Sequence, residues 1–176
     1  MNVRRGLQPL LSSAPAAELT PLLDQNDFGL AADPTRIVGA PEREAPVPAA
    51  NLAPLDGVLT RLQTSAAAYD GAYTRLTSGQ ITLNAAQRAK LNALLQVMDQ
   101  RLTDARGLPG RDWFRHFVYA PGLLTGYGMK TLPGVREAIE GDRWEEADRY
   151  PTITAQALGA YCDGIDQATA LLSGRK

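Results

Sequence analysis

The sequence predicts an all-α protein, a helical bundle interrupted by one long, ordered loop rich in aromatic residues and glycine. Three observations predict it. Apolar residues recur at i, i+3, i+4 and i+7 in three separate stretches, the period of a helix with one buried stripe. No stretch shows the strict alternation of a half-buried strand. Finally, residues 107–134, GLPGRDWFRHFVYAPGLLTGYGMKTLPG, hold the only His, one of two Trp, two of three Phe and six Gly. Long loops inside compact domains are functional or disordered, and this one is too aromatic for disorder. It is expected to dock between the helices on either side.

Residues 1–50 are a different kind of polymer from the rest. Seven of the twelve prolines lie there, at positions 9, 15, 21, 34, 41, 46 and 48, among many alanines. Proline at that density forbids long helices. Short helical turns at Arg4–Leu11 and Ala16–Leu23 are expected within a segment otherwise extended, draped or partly disordered. The run from Pro41 to Pro48 reads as a semi-rigid linker.

Residues 51–176 carry the helices. From Pro54 the apolar positions Leu55, Val58, Leu59, Leu62, Ala66, Tyr69, Tyr73 and Leu76 form one stripe, with Asn51 as candidate cap and Ser78-Gly79 as the stop. Asn84 followed by Gln87 forms a capping-box pattern, and Leu91, Leu94, Leu95, Met98 and Leu102 continue as a second helix. Gly107 and Pro109 end it near Arg106. After the loop, Pro133 suits the first turn of a short helix over Val135–Glu140, closed by Gly141. Asp142 and Glu145 repeat the capping-box spacing, so the last helix is expected from Arg143. Its stripe is Ile153, Ala157, Tyr161, Ile165, Ala168 and Leu172. Pro151 falls inside it and predicts a kink or break near Asp148–Tyr150. Alanines on the first helix (Ala66, Ala67, Ala68) and the last (Ala155, Ala157, Ala160) leave flat surfaces that a second copy can cover.

Composition narrows the function. The formal charge is −1 and the pI near 5.8, without the basic excess of a general nucleic-acid binder. A single Cys, Cys162, excludes an internal disulfide, and one His with one Cys does not make a zinc site of the usual ligand set. No run reaches the ~20 apolar residues of a membrane span, and the residues after Arg4 and Arg5 are too broken for a secretory signal. Glu145, Glu146 and Asp148 fall at a helix start, where the dipole favours solvated acids. His116, between Arg115 and Phe117, reads as a structural imidazole, and Cys162 as a small core or interface residue. No catalytic residue and no metal ligand is therefore assigned. The loop does place Thr125, Tyr127 and Lys130 within six residues, on backbone freed by glycine. Lys as the charge and Tyr as the hydroxyl donor could orient a carboxylate. The other reading packs Tyr127 and leaves Lys130 solvated.

The central block carries a resemblance. GLPGRDWFRHFVYAPG, continuing into TGYGMKTLPGVREAI and RWEEADRY, resembles the C-terminal helical dimerisation domain of the transferrin receptor and glutamate carboxypeptidase II family, over roughly Pro46 to Leu172. The resemblance implies a helical bundle that pairs with its counterpart as a homodimer. It also implies that the aromatic loop leans into a zinc-peptidase domain and helps recognise a substrate carboxylate through a Lys-Tyr pair. Tyr127 matches that Tyr; Gly126 stands where the Lys would be, and Lys130 is the candidate substitute. Tyr127 and Lys130 are thus the substrate-binding residues the resemblance suggests. Zinc is expected only in a separate peptidase domain, joined in cis or in trans; no nucleic acid is expected as a partner, and no membrane segment is expected in the chain. The chain alone is expected to hydrolyse nothing. An alternative makes it part of a peptidase active only with a separate catalytic domain; another makes it a stand-alone helical module for small carboxylates. The compartment stays open, an extracytoplasmic one being consistent with the resemblance.

Overall fold

The computed structural model describes residues 21, 24–25, 50–124 and 126–173. The chain divides into two units, Met1–Ala50 and Asn51–Lys176. In the first, the described residues form part of a helical turn in which the Gln25 amide donates to the Pro21 carbonyl at 3.0 Å. The turn expected at Arg4–Leu11, most of that at Ala16–Leu23 and the linker at Pro41–Pro48 lie outside the described residues.

The second unit is built on its last helix. In order it contains α1 (Ala53–Thr77), α2 (Ala85–Gln96), a 3-10 turn (Asp99–Leu102), β1 (Tyr119–Pro121), β2 (Met129–Thr131), α3 (Pro133–Glu140) and α4 (Trp144–Leu172). α1, α2, α3 and the 3-10 turn all pack against α4, with α1 making the most extensive contact. The strands form an antiparallel hairpin pairing Tyr119 with Thr131, Ala120 with Lys130 and Pro121 with Met129. That hairpin corrects the expectation of a loop without strands. Three-residue strands are too short to show alternation, and their pairing is fixed by contacts distant in sequence.

The α1 stripe is shifted from its expected course. Leu55, Ser65 and Ala72 are buried, and Val58, Leu62, Tyr69 and Leu76 partly so. These seven positions alternate steps of three and four, the seam of two helices packed nearly in line. Ala66 is therefore exposed and Tyr73 is 48% exposed, because the narrow seam runs through Ser65 and Ala72 instead. Ala72 meets Leu83, Leu91, Ala168 and Leu172 in a core at one end of the bundle. Tyr73 stacks on Tyr69 with centroids 6.0 Å apart.

Helix ends follow local chemistry. Asn84 and Gln87 form the full capping box of α2, each side chain bonding the other's backbone amide at 2.9 Å. Asn51 sits one residue before the α1 cap, and its Oδ1 accepts from the Ala53 amide. α2 ends at Gln96 rather than near Arg106, the chain tightening into the 3-10 turn beyond Val97. Within the expected stripe Leu95 is consequently exposed, whereas Met98 is buried. Asp142 forms no capping box: it adopts φ 54°, a left-handed conformation, and α4 begins without a side-chain cap. Helix α4 also runs unbroken through Pro151, which is buried. Proline in a helix removes one backbone hydrogen bond, and burial against the neighbouring elements outweighs that loss here.

Candidate functional site: a clamped hairpin

Between the 3-10 turn and β1 the chain folds back on itself. Backbone bonds join Asp104 to Arg115 at 2.9 Å, Leu108 to Phe114 at 2.9 Å and Phe117 to Leu102 at 3.0 Å. Gly107 makes the return possible. Its φ is +66°, and a Cβ there would overlap the Asp112 backbone, so both conformation and space demand glycine. Phe117, fully buried, stacks on Tyr150 of α4 with centroids 6.1 Å apart. Arg106 ties the same segment to α4, bonding Gln156 Oε1 at 2.8 Å while its guanidinium also grips Asp104. Hydrogen bonding from Arg106 holds the Asp104 carboxyl down at about 2.

The hairpin is held by a buried ion pair that sequence reasoning missed. Arg111 Nη2 donates to both carboxylate oxygens of Glu137 on α3 at 2.8 Å, and the two side chains are 4% and 7% exposed. Arg111 Nη1 donates to the Pro121 carbonyl at the end of β1, and the guanidinium lies 5.2 Å from the Phe114 ring centroid. Glu137 Oε1 also accepts from the Leu123 amide at 2.8 Å. One carboxylate and one guanidinium thus join the folded-back loop, the strand, the hairpin tip and α3. A desolvated pair with its donors and acceptors engaged on several sides holds geometry as well as energy. Leu132, which enters α3, adds a second constraint. It is buried at φ 51°, and its amide bonds the Val118 carbonyl at 2.7 Å.

The tip, residues 122–128, closes through the Gly122 amide on the Gly128 carbonyl at 2.8 Å and the Gly126 amide on the Gly122 carbonyl at 3.1 Å. It presents apolar side chains outward. Leu124 is 94% exposed and Tyr127 fully so, and Met129, the first residue of β2, is 60% exposed. Lys130, in β2, pairs with Glu140 at the end of α3 rather than with Tyr127, and Arg136 Nε holds the other Glu140 oxygen at 2.9 Å. Burial pushes the Glu140 carboxyl up, but the bonds from Lys130 and Arg136 outweigh it and keep it below the usual carboxylate range. A pocket of about 70 Å³ opens beside them, lined by Leu123, Leu124, Lys130, Glu137, Glu140, Gly141 and Arg143. Thr125, the third member of the expected polar group, lies outside the described residues.

The remaining titratable candidates have structural surroundings. His116 Nδ1 accepts from the Val118 and Tyr119 amides at 3.3 and 3.2 Å, and its ring lies 4.1 Å from that of Tyr119. Cys162 is buried, and burial raises its thiol. Glu146 bonds Arg143, and Asp148 accepts from the Asn51 amide. Among the described residues no group of three or more His, Cys, Asp or Glu side chains is placed to hold a metal ion. No described helix is long and apolar enough to cross a membrane.

Comparison with known proteins agrees with this architecture. Residues 50–165 match the transferrin receptor-like dimerisation domain. Over 71 residues, 40% of this chain, the sequence is 38% identical to a probable glutamate carboxypeptidase of Arthroderma benhamiae. Over 51 residues, 29% of this chain, it is 41% identical to the probable glutamate carboxypeptidase LAMP1 of Arabidopsis thaliana. The chain spans 10% of the length of the fungal relative and 8% of the plant one. The helices packed on α4, the clamped hairpin and the match over residues 50–165 together place this chain in the transferrin receptor-like dimerisation domain family.

Proposed function

We propose that this domain is a non-catalytic scaffold making two contacts, one with a second copy of itself and one with a companion peptidase domain. The hairpin tip docks on the companion and brings Tyr127 and Lys130 to the edge of its substrate site. Zinc, where the companion uses it, is held by that domain's own residues. Read this way, the chain is part of a peptidase without supplying its reacting groups.

One observation carries the reading. The hairpin exposes Leu124, Tyr127 and Met129 while the Arg111–Glu137 pair beneath it is buried and bonded to the Pro121 carbonyl and the Leu123 amide. An apolar protrusion on a fixed base marks a binding surface, since solvent alone gives no reason to present those side chains. Self-association is favoured by the family and by the exposed edge of α1, where Ala66, Ala67, Ala68 and Tyr73 lie outside the seam with α4.

Sedimentation equilibrium at roughly tens of micromolar, above ordinary oligomer dissociation constants, should show a dimer; monomer alone would refute the pairing. Docking is tested by mixing the chain with a peptidase domain of the glutamate carboxypeptidase class. Complex formation should fall at least about tenfold in Leu124→Ser/Tyr127→Ser, the loss of two apolar anchors. Unchanged binding would refute the docking role of the tip.

A further inference from the structure

We propose that His116 is an acid-sensitive latch: its neutral ring holds the entry to the hairpin closed, and protonation at Nδ1 releases it. What the latch controls is the order of β1, and the inference stands whether or not the tip docks on a companion domain.

The latch is an arrangement of donors. Nδ1 accepts from the Val118 amide at 3.3 Å and from the Tyr119 amide at 3.2 Å. A ring nitrogen that accepts carries no proton, so the neutral ring keeps its hydrogen on Nε2. The charged ring has a hydrogen on both nitrogens. Its Nδ1–H then points at two amide hydrogens, and both bonds are lost. The segment before the ring does not yield with it. Thr103 faces His116 across a bridge, the Phe117 amide bonds the Leu102 carbonyl at 3.0 Å, and Phe117 is fully buried. What loosens is the chain beyond, at Val118 and Tyr119. The Val118 carbonyl also receives the Leu132 amide, so the release reaches the entry to α3 as well.

The surroundings decide where the charged ring turns. Nε2 is buried without a hydrogen-bond partner, 3.5 Å from Asp99 Oδ1 on the 3-10 turn, and the Asp99 side chain is 70% exposed. Asp99 attracts the cation, and the two amides repel it. The other charged groups on the elements around the ring are engaged elsewhere or face solvent. Arg101 bonds the Ala160 carbonyl and Gln167, Arg106 grips Asp104, Arg149 of α4 lies over Tyr150, and Arg115 is exposed. The Tyr119 ring, 4.1 Å away, is half exposed. His116 is also the only histidine of the chain. Asp104 is held at about 2, Glu140 lies below the ordinary carboxylate range, and burial raises the Cys162 thiol. None of these three changes charge in the range where histidine does.

The test uses the full chain labelled with nitrogen-15. At about pH 7.5, where an ordinary histidine is neutral, the ring nitrogen shifts should identify Nδ1 as the bare nitrogen and Nε2 as the protonated one. Hydrogen exchange, corrected for its intrinsic pH dependence, is then compared with that at about pH 5.5. Protection at Val118 and Tyr119 should fall at least about tenfold, since one bound proton changes an opening equilibrium by up to that factor per pH unit. Protection at Leu158 in α4 should hold steady. His116→Asn supplies Oδ1 at the position of Nδ1, an acceptor that takes no proton in this range, and it should keep Val118 and Tyr119 protected at both pH values. A proton on Nδ1 at the higher pH would overturn the proposal. So would protection at Val118 and Tyr119 that does not change with pH in the unaltered chain, or that falls equally in His116→Asn.

Discussion

Removing the carboxylate of Glu137 should cost more than removing any other polar side chain among the described residues of this domain. The carboxylate takes two bonds from Arg111 Nη2 and one from the Leu123 amide, and both side chains of the pair are more than nine-tenths buried. Removing one partner of a buried pair leaves an uncompensated charge and typically costs about 3 to 5 kcal/mol. For a domain of this size that is a fall of roughly 10 to 20 °C in midpoint. Glutamine keeps the shape and one acceptor, so the lower part of the range is expected for Glu137→Gln and the upper part for Glu137→Ala. Arg111→Met/Glu137→Leu should recover most of the loss, because an apolar pair of similar volume removes the stranded charge. Urea denaturation of the unaltered chain, Arg111→Met, Glu137→Leu and the double variant gives the double-mutant cycle, and hydrogen exchange at the Leu123 and Gly122 amides reports the tip. A loss below about 1 kcal/mol for Glu137→Ala, with exchange unchanged at Leu123, would refute the clamp.

Three further outcomes are expected. Asp104, held at about 2 against its ordinary 3.8 by Arg106, contributes stability that is complete above pH 4 and lost as pH falls through 2. Because Arg106 is about half exposed, the contribution is near 1 kcal/mol rather than the full shift; acid titration of unfolding should show Asp104→Asn flatter across that window. Gly107→Ala should destabilise by about 2 kcal/mol or more, through the left-handed backbone and the overlap with Asp112, as read by thermal denaturation. Thr154 is fully buried with its hydroxyl unbonded, so Thr154→Val should be neutral or stabilising by about 1 kcal/mol, measured by urea midpoint at constant m.

The long helices α1 and α4 were legible because each buries one stripe over many turns, and the apolar period of α1 survives a shift of one residue in the seam. Helix ends were legible at Ser78-Gly79 after α1 and at Gly141 after α3, and at helix starts where a side chain does the capping. Asn84 and Gln87 do so, whereas Asp142, at the same spacing from Glu145, turns left-handed and leaves α4 uncapped. At Pro151 the expected break did not follow, because the cost of the proline is local and its compensation is tertiary. The hairpin was hidden for a different reason. Its order comes from Arg111 and Glu137, 26 residues apart, and no periodicity links a loop arginine to a helix glutamate. The one available signal was Glu137 itself, an acid among Val135, Ala138 and Ile139 in a short helix that is buried almost all round. Neither the full exposure of Tyr127 nor the pairing of Lys130 with Glu140 was legible, and both depart from the reading in which Tyr127 packs and Lys130 is solvated.

The ion pair beneath the tip has one arm on either side of it, Arg111 before residues 122–128 and Glu137 after them. A protease that prefers large apolar side chains finds exposed sites at Leu124 and Tyr127, and cleavage there severs the chain between the two arms. The halves should nevertheless migrate as one particle and separate only in denaturant, like a ring cut opposite its clasp.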